Sequence, residues 1–171
     1  MRHILKSNLT VFIVWISHAY GGSEVELVNI ESFNVYGLEI STTNEVEMNT
    51  GNAKIPELWE SFYNDHYGKT LNGTPVYGVY TNYESDVNGR MSVIAGTKIK
   101  EIDKGYTKVE IEAGKYLIFE KEGKSPEIVM QAWQDVWEYF SKESGEYKRA
   151  YTTDFEVYEG SNKVSIYVAV K

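Results

Sequence analysis

The sequence predicts an α+β fold built from two tandem β-α-β-β modules, which are related by pseudo-two-fold symmetry. Their strands join in one curved antiparallel sheet with both helices on one face. Three observations predict this fold. The same order of elements occurs twice along the chain, each half holds one amphipathic helix, and each half ends in two strands joined by turn-forming residues. A two-fold arrangement of this kind leaves a central cleft where the modules meet.

The internal repeat appears as matched segments at nearly constant spacing. Residues 28–32 resemble residues 109–113 at an offset of 81, and the helical pattern around Trp59 resembles that around Trp133 at an offset of 74. The last two strands of each half match at offsets of 75 and 73. A polar stretch, residues 42–52, lengthens the first unit and explains the drop in offset, so the repeat predicts one duplicated architecture.

In the first unit, a strand over 28–32 precedes a helix. Apolar side chains recur there at the spacing of one helical face. This stripe consists of Ile55, Leu58, Trp59, Phe62 and Tyr63. Pro56 lies in the first turn, where a missing N–H costs no hydrogen bond. Strands over 76–85 and 91–100 follow, and Asn88-Gly89 between them is a preferred type I′ hairpin pair.

The second unit repeats this order after a strand over 109–113. Its helix begins with Ser125 as the predicted N-cap and Pro126 as the first helical residue. The apolar stripe consists of Val129, Trp133, Val136, Trp137 and Phe140. Strands over 154–158 and 164–170 close the unit, and residues 160–162 form the predicted turn between them.

Residues 1–23 precede the repeat and allow three interpretations. Arg2 and Lys6 precede an apolar run over 9–16, and residues 17–19 resemble a cleavage site, as in a short signal peptide. The run is too short for a membrane span, which takes about 20 residues. The alternatives are an additional strand or a start codon upstream of the true one. We expect a cytoplasmic protein, or a secreted or periplasmic one if residues 1–19 are a signal peptide.

The remainder, residues 24–171, is predicted to be one domain made of module one (24–102) and module two (103–171). Of all 171 residues, 42% are apolar and the net charge is −8, so direct nucleic-acid binding, which needs a basic face, is not expected. The chain has no cysteine, which excludes disulfides and thiolate sites. Its three histidines, His3, His18 and His66, are far apart, and we expect neither a metal nor a cofactor.

The strand over 154–158 carries the most informative side chains. Side chains alternate along a strand, so Phe155 and Val157 share one face while Glu156 and Tyr158 share the other. We assign the apolar pair to the face that packs on the helices, which directs Glu156 and Tyr158 toward the cleft. The repeat matches Glu156 with Thr81 of the first unit, so the cleft is predicted to hold an acid on one side only.

A carboxylate in a partly closed aromatic site needs a proton or a cation, because desolvation penalises its charged form. The chain is rich in rings, with 14 Tyr, 4 Trp and 6 Phe. A cationic ligand would supply the missing charge, and each ring would add roughly 0.5–2 kcal/mol through cation–π contact. The alternative is that Glu156 is a solvated strand residue, as we expect for the flanking Asp154 and Glu159.

Four short segments carry a resemblance to a known family. In chain order they are Ile55-Pro56-Glu57-Leu58-Trp59, Tyr77-Gly78-Val79-Tyr80, Ala113-Gly114-Lys115-Tyr116 and Asp154-Phe155-Glu156-Val157-Tyr158. With this order and spacing, residues 25–171 resemble the GyrI-like, AraC-type effector-binding domain, and in particular its stand-alone, integron-cassette-associated branch. Each segment is short and moderately specific, and the internal repeat strengthens the resemblance.

The resemblance implies a GyrI-like fold whose cleft binds amphipathic, often cationic, small molecules. It implies that Glu156 is the anchoring acid. The further ligand-binding residues are then Trp59, Tyr80, Tyr116, Trp133 and Tyr158. Many members of the family carry a helix-turn-helix domain, whereas this sequence has no basic recognition helix. We therefore expect it either to sequester ligand or to signal through a separate transcription-regulator partner.

Two other classes of function stay open at this point. Some relatives resemble hydrolases of reactive alkylating compounds, and Glu156 would then act as a general base toward water while a tyrosine donates a hydrogen bond. The second alternative is a purely structural or protein-binding domain. A cleft filled by its own aromatic side chains would favour that alternative.

Overall fold

The computed structural model describes residues 12–13, 18–20, 23–49, 51–66, 74–99, 105–142 and 145–171. Within these ranges the chain forms ten strands and three helices. The strands are β1 (Phe12–Ile13), β2 (His18–Tyr20), β3 (Ser23–Ile30), β4 (Phe33–Thr42), β5 (Val76–Thr81), β6 (Met91–Thr97), β7 (Thr107–Ile111), β8 (Gly114–Glu122), β9 (Asp154–Tyr158) and β10 (Lys163–Val170). The helices are α1 (Asn44–Met48), α2 (Ile55–His66) and α3 (Glu127–Ser141).

The strands form an antiparallel sheet whose order is symmetric about its centre. The order is β1-β3-β8-β10-β9-β5-β6-β4-β7, and β2 pairs with β3. β5 and β9 are neighbours at the centre, where Gly78 lies opposite Glu156. Moving outward from them, β6 corresponds to β10, β4 to β8, and β7 to β3. The predicted α+β fold of two symmetric modules is therefore confirmed.

Each unit has one strand more than the predicted β-α-β-β order. The strands predicted over 28–32 and 109–113 correspond to β3 and β7, the additional strands are β4 and β8, and β3 and β7 cross to the other unit. β3 precedes β4 in the chain but pairs with β8, and β7 precedes β8 but pairs with β4. The two modules are thus joined by backbone hydrogen bonds at three places in the sheet. The predicted boundary between residues 102 and 103 lies outside the described residues, and the module limits stay predictions.

Both long helices pack on one face of the sheet, as predicted. α2 packs on β4 and β6, and α3 packs on β8 and β10. Phe62 of α2 and Val136 of α3 are fully buried against this face. Complete burial of a side chain of this kind stabilises a fold by roughly 1.5–3 kcal/mol. α3 begins at Glu127 with Pro126 as its N-cap, one residue later than predicted.

The opposite face of the sheet has an apolar core of its own. It includes Val35, Val79, Ile94 and Phe155, each at most 1% exposed. The central strands β5 and β6 are consequently buried at every position. A strand that is buried on both faces carries apolar residues on both, so alternation along its sequence does not identify the face that meets the helices.

The turn of the second unit agrees with the prediction, and that of the first does not. β9 and β10 are joined through Gly160, whose φ of 78° suits glycine. β5 and β6 are separated by residues 82–90, so the type I′ hairpin predicted at Asn88-Gly89 is wrong. A longer loop closes there through a hydrogen bond from Glu84 N to Arg90 O (2.8 Å).

The two short strands before the domain both pair with β3. Phe12 lies opposite Asn29, and His18 lies opposite Val25. Residues 12–13 and 18–20 are therefore strands. Most of the apolar run over 9–16 lies outside the described residues, and the three interpretations of residues 1–23 stay predictions. None of the helices in the described part of the chain is long and apolar enough to cross a membrane.

Candidate functional site

Side chains of the two long helices meet over β5 and β9, the central strands of the sheet, and this region between the helices is called the groove below. The helices pack on the strands that flank this central pair, so each helix forms one wall. Trp133 of α3 reaches across to Glu156 on the floor. Trp59 of α2 reaches across to Gly78, where its ring lies 3.1 Å from the position that a Cβ would occupy. Both modules therefore contribute side chains to one site.

Glu156 lies at the centre of this site and is 1% exposed. Its Oε1 accepts hydrogen bonds from the Tyr80 hydroxyl (2.8 Å) and the Trp133 indole Nε1–H (2.6 Å). Its Oε2 accepts a hydrogen bond from the Tyr158 hydroxyl (2.6 Å). The alternative that Glu156 is a solvated strand residue is therefore wrong.

The protonation of the site follows from this burial. Desolvation raises the pKa of Glu156, and the hydrogen bonds from Tyr158, Trp133 and Tyr80 lower it again in part. Desolvation also raises the pKa values of Tyr80 and Tyr158 well above the ordinary value, and the neighbouring carboxylate adds to both. Both hydroxyls consequently keep their protons and act as donors. The three groups that bind the carboxylate are all neutral.

The four rings form two matching pairs. Trp59 of α2 packs edge-to-face on Tyr158 of β9, with 5.2 Å between the ring centroids. Trp133 of α3 packs in the same manner on Tyr80 of β5, at 5.0 Å. Each tryptophan therefore contacts a tyrosine from the central strand of the other module, and five of the six predicted site residues are brought together around Glu156.

The face assigned to β9 must be corrected. Phe155 and Val157 were predicted to face the helices, but they belong to the core on the opposite side of the sheet. Glu156 faces the helices instead, in the groove between them. Its counterpart in the first unit must be corrected as well. Gly78 and Tyr80 occupy in β5 the places of Glu156 and Tyr158 in β9, whereas Thr81 lies beyond the stretch that pairs with β9.

Tyr116 is the predicted site residue that the structure does not bring to the groove. It is 1% exposed and lies in the core of the opposite face, where its ring packs edge-to-face on Phe155 at 5.5 Å. Its hydroxyl donates to Glu112 O (2.7 Å) and lies 2.8 Å from the Thr153 hydroxyl. Tyr116 was assigned to the cleft from the resemblance alone, and its position on the opposite face of the sheet corrects that assignment.

Asp154 was expected to be solvated but is fully buried. Its Oδ2 forms an ion pair with Arg149 Nη2 and accepts a hydrogen bond from the Tyr83 hydroxyl (2.7 Å). Its Oδ1 accepts from Ala169 N (2.8 Å). Glu159 is exposed, as expected. β9 thus carries two buried acids, of which Asp154 has a cationic partner and Glu156 has neutral donors.

Gly78 was quoted in the sequence motif but was given no role. A Cβ at this position would stand 2.5 Å from Glu156 Oε2 and 3.1 Å from Trp59 Cζ2. No side chain larger than a hydrogen fits there unless the carboxylate moves. The available signal was a glycine inside an apolar strand, which often marks the close approach of another group.

Comparison with known proteins gives two matches over nearly the whole domain. Residues 26–170 match the family described as integron-associated effector binding protein. The integron cassette protein from the mobile metagenome of Vibrio cholerae is similar in sequence and structure, at 38% identity and a TM-score of 0.80. That match covers 96% of this chain and 100% of the other.

Two further relatives are more distant. YobU of Bacillus subtilis (strain 168), whose name proposes a role as a transcriptional regulator, is 28% identical over 165 residues, which is 88% of this chain and 99% of YobU. SAV2435, solved bound to tetraphenylphosphonium, has a TM-score of 0.69 at 21% identity and covers 87% of this chain and 94% of its own. The likeness to SAV2435 shows a shared fold alone.

Proposed function

The chain belongs to the family of integron-associated effector-binding proteins, and we propose that it captures amphipathic organic cations in the groove between α2 and α3. The family match confirms the branch that the sequence motifs resemble and makes small-molecule binding its coarse function. The finer proposal rests on one observation. Glu156 is a buried carboxylate whose described contacts are all neutral hydrogen-bond donors.

A buried carboxylate of this kind is poised to favour a cation. Its charged form loses solvation on burial, and hydrogen bonds from Tyr80, Trp133 and Tyr158 replace only part of it. A cation that enters the groove would supply the missing opposite charge at short range and in a medium of low dielectric constant. Asp154, two residues away on the same strand, is also buried, but there Arg149 supplies the opposite charge from within the chain.

The surroundings of Glu156 favour a cation with apolar substituents. Trp59, Trp133, Tyr80 and Tyr158 offer aromatic surface, and a ring face attracts a positive charge by roughly 0.5–2 kcal/mol. The net charge of −8 attracts cations to the protein as a whole. A protein with this fold, SAV2435, was solved with tetraphenylphosphonium, an amphipathic cation, which supports the same ligand class for this chain.

The two other classes of function have less support. A general base must accept a hydrogen bond from the water that it deprotonates, and Glu156 already accepts three hydrogen bonds, which argues against the hydrolase alternative. The rings that cover Glu156 would also suit a purely structural domain, and the family match favours binding over that alternative. For the output of binding, we propose a separate transcription-regulator partner.

A comparison of two ligands of similar shape tests the proposal. Tetraphenylphosphonium and neutral triphenylphosphine oxide would be titrated into the protein while its tryptophan fluorescence is recorded, since Trp59 and Trp133 lie at the site. We expect quenching with both and tighter binding of the cation by at least tenfold. Equal affinity for the two ligands would show that charge does not determine recognition.

A further inference from the structure

Each long helix carries a second aromatic ring one turn beyond the tryptophan at the site. On α2, Tyr63 stacks on Trp59 with 5.8 Å between centroids and 28° between the ring planes. On α3, Trp137 stacks on Trp133 at 6.4 Å and 29°. Residues four apart lie above one another on a helix, so each wall holds an inner and an outer ring. The two walls match each other as the two modules do.

The inner and outer rings differ in their exposure. Trp133 is 9% exposed and Trp59 is half-buried, whereas Tyr63 is 39% exposed and Trp137 is 38% exposed. Among the described residues, these two are the only aromatic side chains with so much exposed surface. Both residues belong to the apolar stripes predicted for their helices, yet the structure leaves more than a third of each side chain exposed.

The outer rings are continuous with the site around Glu156. Tyr63 stacks on Trp59, which packs edge-to-face on Tyr158, and Tyr158 donates directly to Glu156. Trp137 reaches the site through Trp133, which also donates to Glu156. Trp137 is thus connected to the carboxylate through one aromatic side chain and Tyr63 through two, and both outer rings are more exposed than the rings that they stack on.

We propose that Tyr63 and Trp137 are specificity-determining residues that form an outer aromatic layer of the binding site, one ring on each wall. This inference rests on the proposed function of the groove and extends it to a ligand class. The ligand is a cation that carries at least two aryl groups, so that its charge lies near Glu156 while an aryl group stacks on each wall. Compact cations reach the carboxylate without contacting the outer layer.

The contact of a ligand's charge with Glu156 and the contacts of its aryl groups with the outer rings can be separated by the choice of ligand. Tetraphenylphosphonium has aryl groups large enough to extend from the carboxylate to the outer rings, whereas tetraethylammonium has the same charge and no ring. Loss of an outer ring should therefore affect the first cation and spare the second. Because the two rings stand on different helices, their contributions should combine as independent factors.

The test compares Tyr63→Ala, Trp137→Ala and the double variant with the wild type, using both cations. Each single variant should weaken tetraphenylphosphonium binding about 3- to 10-fold, the range that one aromatic stacking contact contributes. The double variant should show the product of the two factors, and tetraethylammonium should change less than about twofold. Tyr63→Phe and Trp137→Phe, which keep a ring, should restore most of the affinity.

Two controls guard the interpretation. Met48→Ala removes an apolar side chain that is 74% exposed on α1 and should change neither cation's binding. Thermal unfolding of each variant should match the wild type, since both outer rings are partly solvated. Should an alanine variant unfold at a lower temperature, Tyr63→Leu and Trp137→Leu carry the test, because they remove the ring and keep an apolar side chain of substantial volume.

The possible results separate this inference from the proposed function. Unchanged tetraphenylphosphonium affinity in the double variant, with wild-type binding intact, overturns the outer layer alone. Equal weakening of both cations also overturns it, because the effect would not depend on aryl groups. If triphenylphosphine oxide binds the wild type as tightly as tetraphenylphosphonium and weakens in the double variant, the outer layer stands and the cationic function fails. Failure of the wild type to bind either cation overturns both.

Discussion

Replacing Glu156 by glutamine removes the charge of the proposed anchor and nearly preserves its shape. The amide oxygen can take the place of Oε1 and accept from Tyr80 and Trp133, which now lie 2.8 and 2.6 Å away. The amide nitrogen then faces the Tyr158 hydroxyl, which can accept a hydrogen bond as well as donate one. All three contacts survive with one reversed, so Glu156→Gln should fold normally.

The expected magnitudes follow from the burial of the carboxylate. A cation in the groove would lose one partner of a buried charge pair, which costs roughly 2–4 kcal/mol, or about 30- to 700-fold in Kd. A neutral aryl ligand keeps its contacts with Trp59 and the tyrosines and should lose less than about threefold. The ligand-free variant should be as stable as the wild type or more so, because an unpaired buried acid is a cost.

The assay is a fluorescence titration of both proteins with tetraphenylphosphonium and triphenylphosphine oxide, combined with thermal unfolding of the ligand-free forms. The affinity for the cation should fall strongly from wild type to Glu156→Gln, and the affinity for the neutral ligand should fall only slightly. Equal losses for the two ligands would refute the assignment of Glu156 as the charge anchor. A loss of stability without any change in binding would show that Glu156 has a structural role only.

The same variant reports on protonation. Burial raises the pKa of Glu156 in the folded chain, so the folded state keeps the proton to higher pH than the unfolded state. Its contribution to stability is therefore fully present below the ordinary glutamic acid pKa and is lost as pH rises through the raised value. The stability of wild type relative to Glu156→Gln should fall across that window, while cation affinity should rise. A pH-independent difference between the two proteins would contradict both expectations.

Two further substitutions test the site and its support. Gly78→Ala places a methyl group 2.5 Å from Glu156 Oε2. We expect a loss of roughly 1–3 kcal/mol in unfolding free energy and at least tenfold weaker cation binding. Wild-type cation affinity in a folded Gly78→Ala variant would contradict the close approach. Asp154→Asn leaves the buried Arg149 without its charge partner and should cost roughly 3–5 kcal/mol in urea denaturation. As its control, Glu138→Gln breaks an exposed pair and should cost less than about 1 kcal/mol.

The fold could be predicted because its main features recur in the sequence. Two helical stripes around Trp59 and Trp133, each followed by a strand pair, fix the element order twice. The exchange of β3 and β7 could not be predicted in this way, because a strand's own residues do not identify its neighbour. The short helix α1 lies in a polar stretch that indicates a loop, and it is stabilised by Thr43 as its N-cap, whose side chain accepts from Val46 N (3.2 Å).

The site was predicted in part for a similar reason. Glu156 is an acid between two apolar residues in a strand, and that pattern singled it out as a candidate, which the structure shows to be buried and to accept three hydrogen bonds. Its direction was wrong because Phe155 and Val157 are as apolar as a helix-facing pair, and here the second face of the sheet is buried too. Tyr116 was assigned from the resemblance alone, and it lies in the core of that second face. The partner of Asp154 could not be inferred, because Arg149 lies in irregular chain before β9 and its approach depends on tertiary structure.

The hydrogen bonds of Glu156 also restrict how a cation can reach it. A carboxylate has about four acceptor positions, and Tyr80, Trp133 and Tyr158 fill three of them. The remaining one belongs to Oε2, the oxygen that lies against Gly78. A quaternary cation donates no hydrogen bond, so it can neutralise the carboxylate through space while all three donors stay in place.

A primary ammonium differs, because it must donate a hydrogen bond to that one remaining acceptor position or displace the hydroxyl of a tyrosine. It also loses strong hydration when it enters the groove. The site should therefore bind benzyltrimethylammonium more tightly than benzylammonium, although the smaller ion can approach a carboxylate more closely in water. Calorimetric titration of both ions into the wild type measures this order. Tighter binding of benzylammonium would mean that the ligand replaces one of the groups that donate a hydrogen bond to Glu156. A Tyr158→Phe variant, which lacks the hydroxyl that donates to Oε2, should then bind benzylammonium more tightly still.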